Sequence, residues 1–151
     1  MSAICLVDTS IFCELLKVPN KYEDHEGFRS SLAEKIGLKE TLILPMTTIL
    51  ETGNHIGQQG DGTLRRKTAT RFVSQVKQAL RGETPFTPTP LFSDQGLLDL
   101  LDAFPDWAKQ GKGFGDLTIV KEWERLCEVH PNRRVYIWSK DGDLQGYDND
   151  P

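Results

Sequence analysis

The chain's 151 residues carry 18 basic and 22 acidic side chains, a net charge of −4, with 38% hydrophobic and 26% charged residues. That size predicts one domain, and that composition excludes long disordered tracts; no apolar run approaches the ~20 residues needed to cross a bilayer. Three cysteines (Cys5, Cys13, Cys127) without a CxxC pair exclude a disulfide framework and a zinc ribbon. The opening Met1-Ser2-Ala3-Ile4 lacks the features of a signal peptide, so a reducing, cytoplasmic location without membrane attachment is expected.

Residues 3–7, Ala-Ile-Cys-Leu-Val, form a continuous apolar run of the kind that makes a strand buried on both faces. It stops at Asp8-Thr9-Ser10, polar residues suited to starting a helix that carries Ile11, Phe12, Leu15 and Leu16 and breaks at Val18-Pro19-Asn20. A second helix is expected over 28–36, closed by Gly37, and a second strand over 41–44, ended by Pro45. Thr47 or Thr48 opens a helix running to about Gly57. Residues 58–62 turn, and 63–80 form the longest helix, with Ala69, Phe72, Val73, Val76 and Leu80 as its apolar stripe. Pro85, Pro88 and Pro90 make 83–92 extended or irregular. Residues 97–103 read as a helix, 105–115 as a glycine-bearing loop, 116–129 as the last helix and 135–138 as the last clear strand. Short apolar strands alternating with helices imply right-handed crossovers and a parallel sheet covered on both faces, one α/β unit over residues 1–151.

Four carboxylates sit in informative places. Asp8 directly follows the first strand and Asp141 lies three residues after Trp138, at the strand ends where open parallel sheets bind ligands. Asp8 is equally suited to capping the helix that follows. Asp116 precedes Ile119, Val120, Trp123 and Cys127 by three, four, seven and eleven positions, which puts an acid on the apolar face of its helix. A carboxylate there is costly unless its charge is compensated, although it could also curl outward from the first turn. Glu51 fits a capping box with Thr48, so it gains a functional reading only if the other acids are near. Four converging carboxylates need a cation, and hard oxygen donors suit Mg²⁺ or Mn²⁺, ions that serve phosphoryl chemistry.

These residues, in this order, resemble a PIN domain. Leu6-Val7-Asp8-Thr9-Ser10 is similar to the family's first motif, and Glu51 in Thr48-Ile49-Leu50-Glu51-Thr52-Gly53-Asn54 to its second acid. Gly115-Asp116-Leu117-Thr118-Ile119-Val120 resembles the third motif, and Trp138-Ser139-Lys140-Asp141-Gly142-Asp143-Leu144 the fourth. The resemblance implies a three-layer α/β/α sandwich with a central, mainly parallel sheet. It also implies a Mg²⁺- or Mn²⁺-dependent endoribonuclease in which Asp8, Glu51, Asp116 and Asp141 hold metal and activate water. Thr9, Ser10 and Ser139 would support them, and Asp143 could share the role of Asp141. Many bacterial members of this length are VapC-like toxins, homodimers neutralised by a protein antitoxin. Ser139 stands where the family often has Thr, and Leu144 where it often has an aromatic residue.

Residues 63–81 hold Arg65, Arg66, Lys67, Arg71, Lys77 and Arg81 and no acid, while the other 12 of the 18 basic residues face all 22 acids. This ridge is a candidate RNA contact through Arg65, Arg66, Lys67 and Arg71, as is Lys112 in the loop before Asp116; a solvated helix face is the plainer alternative. A haloacid-dehalogenase phosphatase would need an Asp where Ser10 stands. A receiver domain would need paired acids near the first strand. The remaining alternative is a catalytically silent PIN-like scaffold that binds RNA or protein.

Overall fold

The computed structural model describes residues 1–151. Its five strands are β1 (Ile4–Val7), β2 (Thr41–Pro45), β3 (Phe86–Thr89), β4 (Val135–Trp138) and β5 (Asp148–Asn149), in the spatial order β3-β2-β1-β4-β5. All neighbours run parallel except the short β5, which pairs antiparallel with β4. Seven helices connect them: α1 (Thr9–Leu16), α2 (His25–Gly37), α3 (Met46–Gly57), α4 (Gly62–Leu80), α5 (Asp94–Lys109), α6 (Phe114–Val129) and α7 (Gly142–Gln145).

Side chains alternate across the sheet with the period of two that a strand imposes. Cys5, Val7, Leu42, Leu44 and Tyr136 point to one face, where Ile11, Phe12 and Ile49 with Phe72 and Val76 pack from α1, α3 and α4. Ile4, Leu6, Ile43, Val135 and Ile137 point to the other, against Ile119, Val120 and Leu126 of α6 and Leu144 of α7. Helices on both faces of a mainly parallel sheet make a three-layer arrangement. The apolar strands form because both of their faces find a helix.

Several boundaries differ from the sequence expectation, each for a local reason. α2 begins three residues early because the Asp24 side chain accepts from the Gly27 amide. α3 opens directly after Pro45, so Thr47 and Thr48 lie within the helix. The stripe on α4 is narrower than expected: Val73 and Leu80 face solvent, while Thr68 and Ala79 are buried in their place. The proline-rich segment contributes β3, a sheet-edge strand, where a missing N–H is tolerated. Pro105 lies inside α5 rather than opening a loop. The Leu101 carbonyl, four residues back, is deprived of its amide donor there, and Leu101 itself is exposed. The loop shrinks to residues 110–113.

The topology positions the site. From β1 the chain moves outward to β2 and β3 on one side, then crosses back to β4 on the other. The carboxyl ends of β1 and β4 therefore flank the switch point at which open α/β sheets bind ligands.

Candidate metal centre

Asp8 follows β1 and stands at the N-cap position of α1, yet its side chain makes no capping hydrogen bond. Its Oδ2 instead accepts from the Ser139 hydroxyl at 2.7 Å and the Ser10 hydroxyl at 2.9 Å. The capping alternative for Asp8 is thereby set aside. Ser139 also receives the Asp141 amide at 3.0 Å, and Ser10 receives the Lys140 amide at 3.0 Å. The turn after β4 is thus fastened to the start of α1 by two serines, and Asp8 is held between them.

Glu51 does not form a capping box. The Thr48 hydroxyl donates across to the Val7 carbonyl at 2.8 Å, and Glu51 reaches out of α3 to accept from Thr9 at 2.9 Å. Its carboxylate lies against Gly115, in the space a Cβ at that position would fill. The glycine preceding Asp116 leaves the room in which the α3 carboxylate rests on the first turn of α6.

Asp116 is half-buried, as its place on the apolar face of α6 requires. Burial pushes its carboxyl up to about 6, and the negative charges of Asp8, Asp141, Glu51 and Asp143 push in the same direction. No hydrogen bond holds its charged form. Asp141 caps α7 by accepting from the Asp143 amide at 2.9 Å, and it is exposed.

Asp8, Glu51, Asp116 and Asp141 all line one cavity of about 370 Å³, together with Thr9, Ser10, Cys13, His55 and Lys140. Asp143 does not line it, so Asp141 is the nearer of the two acids on that turn. Burial pushes the Cys13 thiol up to about 11, which leaves it protonated near neutral pH and unsuited to nucleophilic chemistry.

The expected RNA-contact residues are not brought to this cavity. Arg65 donates to the Gln59 carbonyl, and Arg71 donates to the Leu16 and Lys17 carbonyls at 3.0 and 3.3 Å, so both hold loops in place. Arg66 and Lys67 are exposed, and Lys112 stacks over the Trp107 ring at 4.6 Å. The cations at the cavity are Lys21 and Lys140.

Sequence reasoning missed the pair behind the cavity wall. Glu14 is wholly buried and meets the Lys140 ammonium at 2.7 Å, while its carboxylate accepts from the Glu23 amide at 2.9 Å and from the Asp24 amide. Burial raises its carboxyl, but Lys140 and the two amides outweigh it and the net direction is downward. The available signal was its spacing: Glu14 lies four residues after Ser10 and three after Ile11, on an inward face of α1.

No group of three His, Cys, Asp or Glu side chains stands at chelating distance of a common point. The donor set still suits a hard divalent ion. Mg²⁺ takes one or two carboxylates directly and completes its shell with waters and phosphate oxygens. A half-buried acid without a hydrogen bond, beside three others, is also a charge pattern that a cation would relieve.

No protein-family model, curated protein or solved structure matches the chain. The fold and site define a three-layer α/β protein with an acid-lined cavity at its topological switch point. The acids come from the ends of β1 and β4 and from α3 and α6.

Proposed function

We propose that the chain is a Mg²⁺- or Mn²⁺-dependent endoribonuclease of the PIN-domain type. The observation that carries this reading is the meeting of Asp8, Glu51, Asp116 and Asp141 in one cavity from four separate elements. Bound there, a divalent ion would acidify a water and neutralise charge on the scissile phosphate. The chain's own residues do the positioning. Ser10 and Ser139 fix Asp8, Thr9 fixes Glu51, and the Asp143 amide fixes Asp141. Asp116, the acid without such a hydrogen bond, is free to turn toward an incoming cation.

As the toxin of a toxin–antitoxin pair, the chain would act as a homodimer silenced by a protein antitoxin. A second reading, a catalytically silent scaffold binding RNA or protein, is favoured by the absence of a chelating group of three side chains. Cleavage of a labelled mixed-sequence RNA by the purified chain separates the two. The nuclease cuts with Mg²⁺ or Mn²⁺ and stops with EDTA or Asp116→Asn, whereas the scaffold leaves the RNA intact under every condition.

A further inference from the structure

The acids occupy only part of the cavity. Its remaining wall is the segment between α1 and α2, which contributes Asn20, Lys21, Tyr22 and Glu23, and the neighbouring turn of α3, which contributes His55. This segment has no regular structure but is pinned at several points. Asn20 adopts a left-handed conformation (φ 64°) and donates to the Gln59 side chain at 3.0 Å, one turn beyond His55. The Glu23 and Asp24 amides are held by buried Glu14, and the His25 ring meets the Glu14 carbonyl at 2.7 Å. A fully buried carboxylate paired with a lysine is an expensive way to gain stability. Here the pair fixes a loop against the acidic cavity.

Three features of that wall point to a nucleotide. Tyr22 is 45% exposed, an aromatic face presented at the mouth of the cavity. Lys140 is committed to Glu14 and Glu23, whereas Lys21 makes no ion pair, so Lys21 is the one uncommitted ammonium lining an otherwise acidic cavity. His55 also lines the cavity, with its Nδ1 atom buried and its Nε2 atom free of any hydrogen-bond partner. A polyanion can approach four carboxylates only where cationic charge offsets them. An unstacked base gains most from an aromatic platform and a free polar edge. The cavity volume of about 370 Å³ lies within the range of small-ligand sites.

We infer that Lys21, Tyr22 and His55 form a subsite for one unpaired ribonucleotide flanking the scissile phosphate. Tyr22 stacks on the base, Lys21 meets a backbone phosphate, and the Nε2 atom of His55 meets a polar edge of the nucleotide. The inference rests on the ribonuclease reading for the identity of the neighbouring acids, but its test does not require cleavage.

The test uses the full chain carrying Asp116→Asn, in Mg²⁺, with a short fluorescein-labelled single-stranded RNA and the corresponding duplex, read by anisotropy. The single strand should bind more tightly than the duplex. Adding Tyr22→Ala should weaken single-strand binding roughly 5- to 150-fold, the range of one lost base stack, and Tyr22→Phe should restore it. Adding Lys21→Ala should lower the slope of log K against log salt by about 0.7. Single-strand binding unchanged by Tyr22→Ala, an unchanged salt slope, or no single-strand binding at all would each overturn the subsite.

Cleavage by the otherwise unsubstituted chain keeps the two readings apart. If it cuts RNA and Tyr22→Ala leaves KM unchanged, the subsite falls and the nuclease stands. If binding behaves as expected but the chain never cuts, the nuclease falls and the subsite stands as an RNA-binding site.

Discussion

Glu14 and Asp116 serve the same cavity under opposite electrostatic terms. Glu14 is wholly buried, yet an ammonium and backbone amides keep its carboxyl below the usual range. Asp116 is only half-buried, yet its carboxyl is pushed up to about 6, with four acids around it and no compensating donor. The difference separates a carboxylate whose charge the fold compensates from one whose charge it leaves uncompensated. Stability pairs its charges internally; a site leaves them unpaired, at some expense to the protein without its ligand.

Removing the structural member should have the largest effect. Glu14→Ala leaves the Glu23 and Asp24 amides without their acceptor and Lys140 with Glu23 alone, and should cost about 2–4 kcal/mol in urea denaturation. A loss below about 1 kcal/mol would mean that Glu14 does not anchor the segment between α1 and α2.

Gly115→Ala should divide stability from activity. Alanine suits the first turn of α6 better than glycine does, so the fold should be kept or gain slightly. The added Cβ collides with the Glu51 carboxylate and should lower metal-dependent cleavage by about 100-fold, the expected order for a misplaced catalytic group. Full activity in this variant would remove Glu51 from the site.

The pH dependence should sharpen the contrast further. Asp116 has a folded pKa above its unfolded value, so its contribution is most favourable below about 4 and is lost as pH rises through about 6. Glu14 shifts the other way: its contribution is present above its ordinary value of 4.5 and is lost as pH falls through its lowered folded value. In EDTA at pH 8, Asp116→Asn should therefore stabilise the chain, by about 1–2 kcal/mol after allowing for partial exposure. Thermal melts of both chains at pH 5 and pH 8 check this, and a destabilised Asp116→Asn at pH 8 would contradict it.

The smallest effect is expected from Ser139→Ala, which removes the shorter of two hydroxyl donors to Asp8 and should weaken Mn²⁺ binding about tenfold. Calorimetry on the substituted and unsubstituted chains reads this directly.

Much of this contrast was legible in the sequence, but unevenly. Asp8 and Asp141 were visible because short apolar strands end just before them, and strand ends are where an α/β sheet exposes side chains. Asp116 was visible because an acid at helical spacing with Ile119, Val120 and Trp123 breaks the apolar pattern. Glu51 was ambiguous, since Thr48 and Glu51 satisfy a capping box locally; only the tertiary bonds Thr48 to Val7 and Thr9 to Glu51 decide it. Glu14 was hidden among the apolar residues of α1, because its partners lie 9, 10 and 126 residues away. Pro105 misled because proline disfavours a helix interior without forbidding it: α5 gives up one N–H donor there and continues on both sides. The basic run on α4 lies away from the acid-lined cavity, and composition does not reveal that Arg65 and Arg71 donate to backbone carbonyls.

Titration calorimetry of Mn²⁺ into the full chain at pH 7.5, beside Asp116→Asn, tests most directly whether the unpaired acids exist to hold a cation. Saturable binding by the unsubstituted chain, accompanied by a rise in melting temperature and lost in the variant, is the expected result. No binding and no thermal shift in a folded chain, or equal binding by Asp116→Asn, would contradict it.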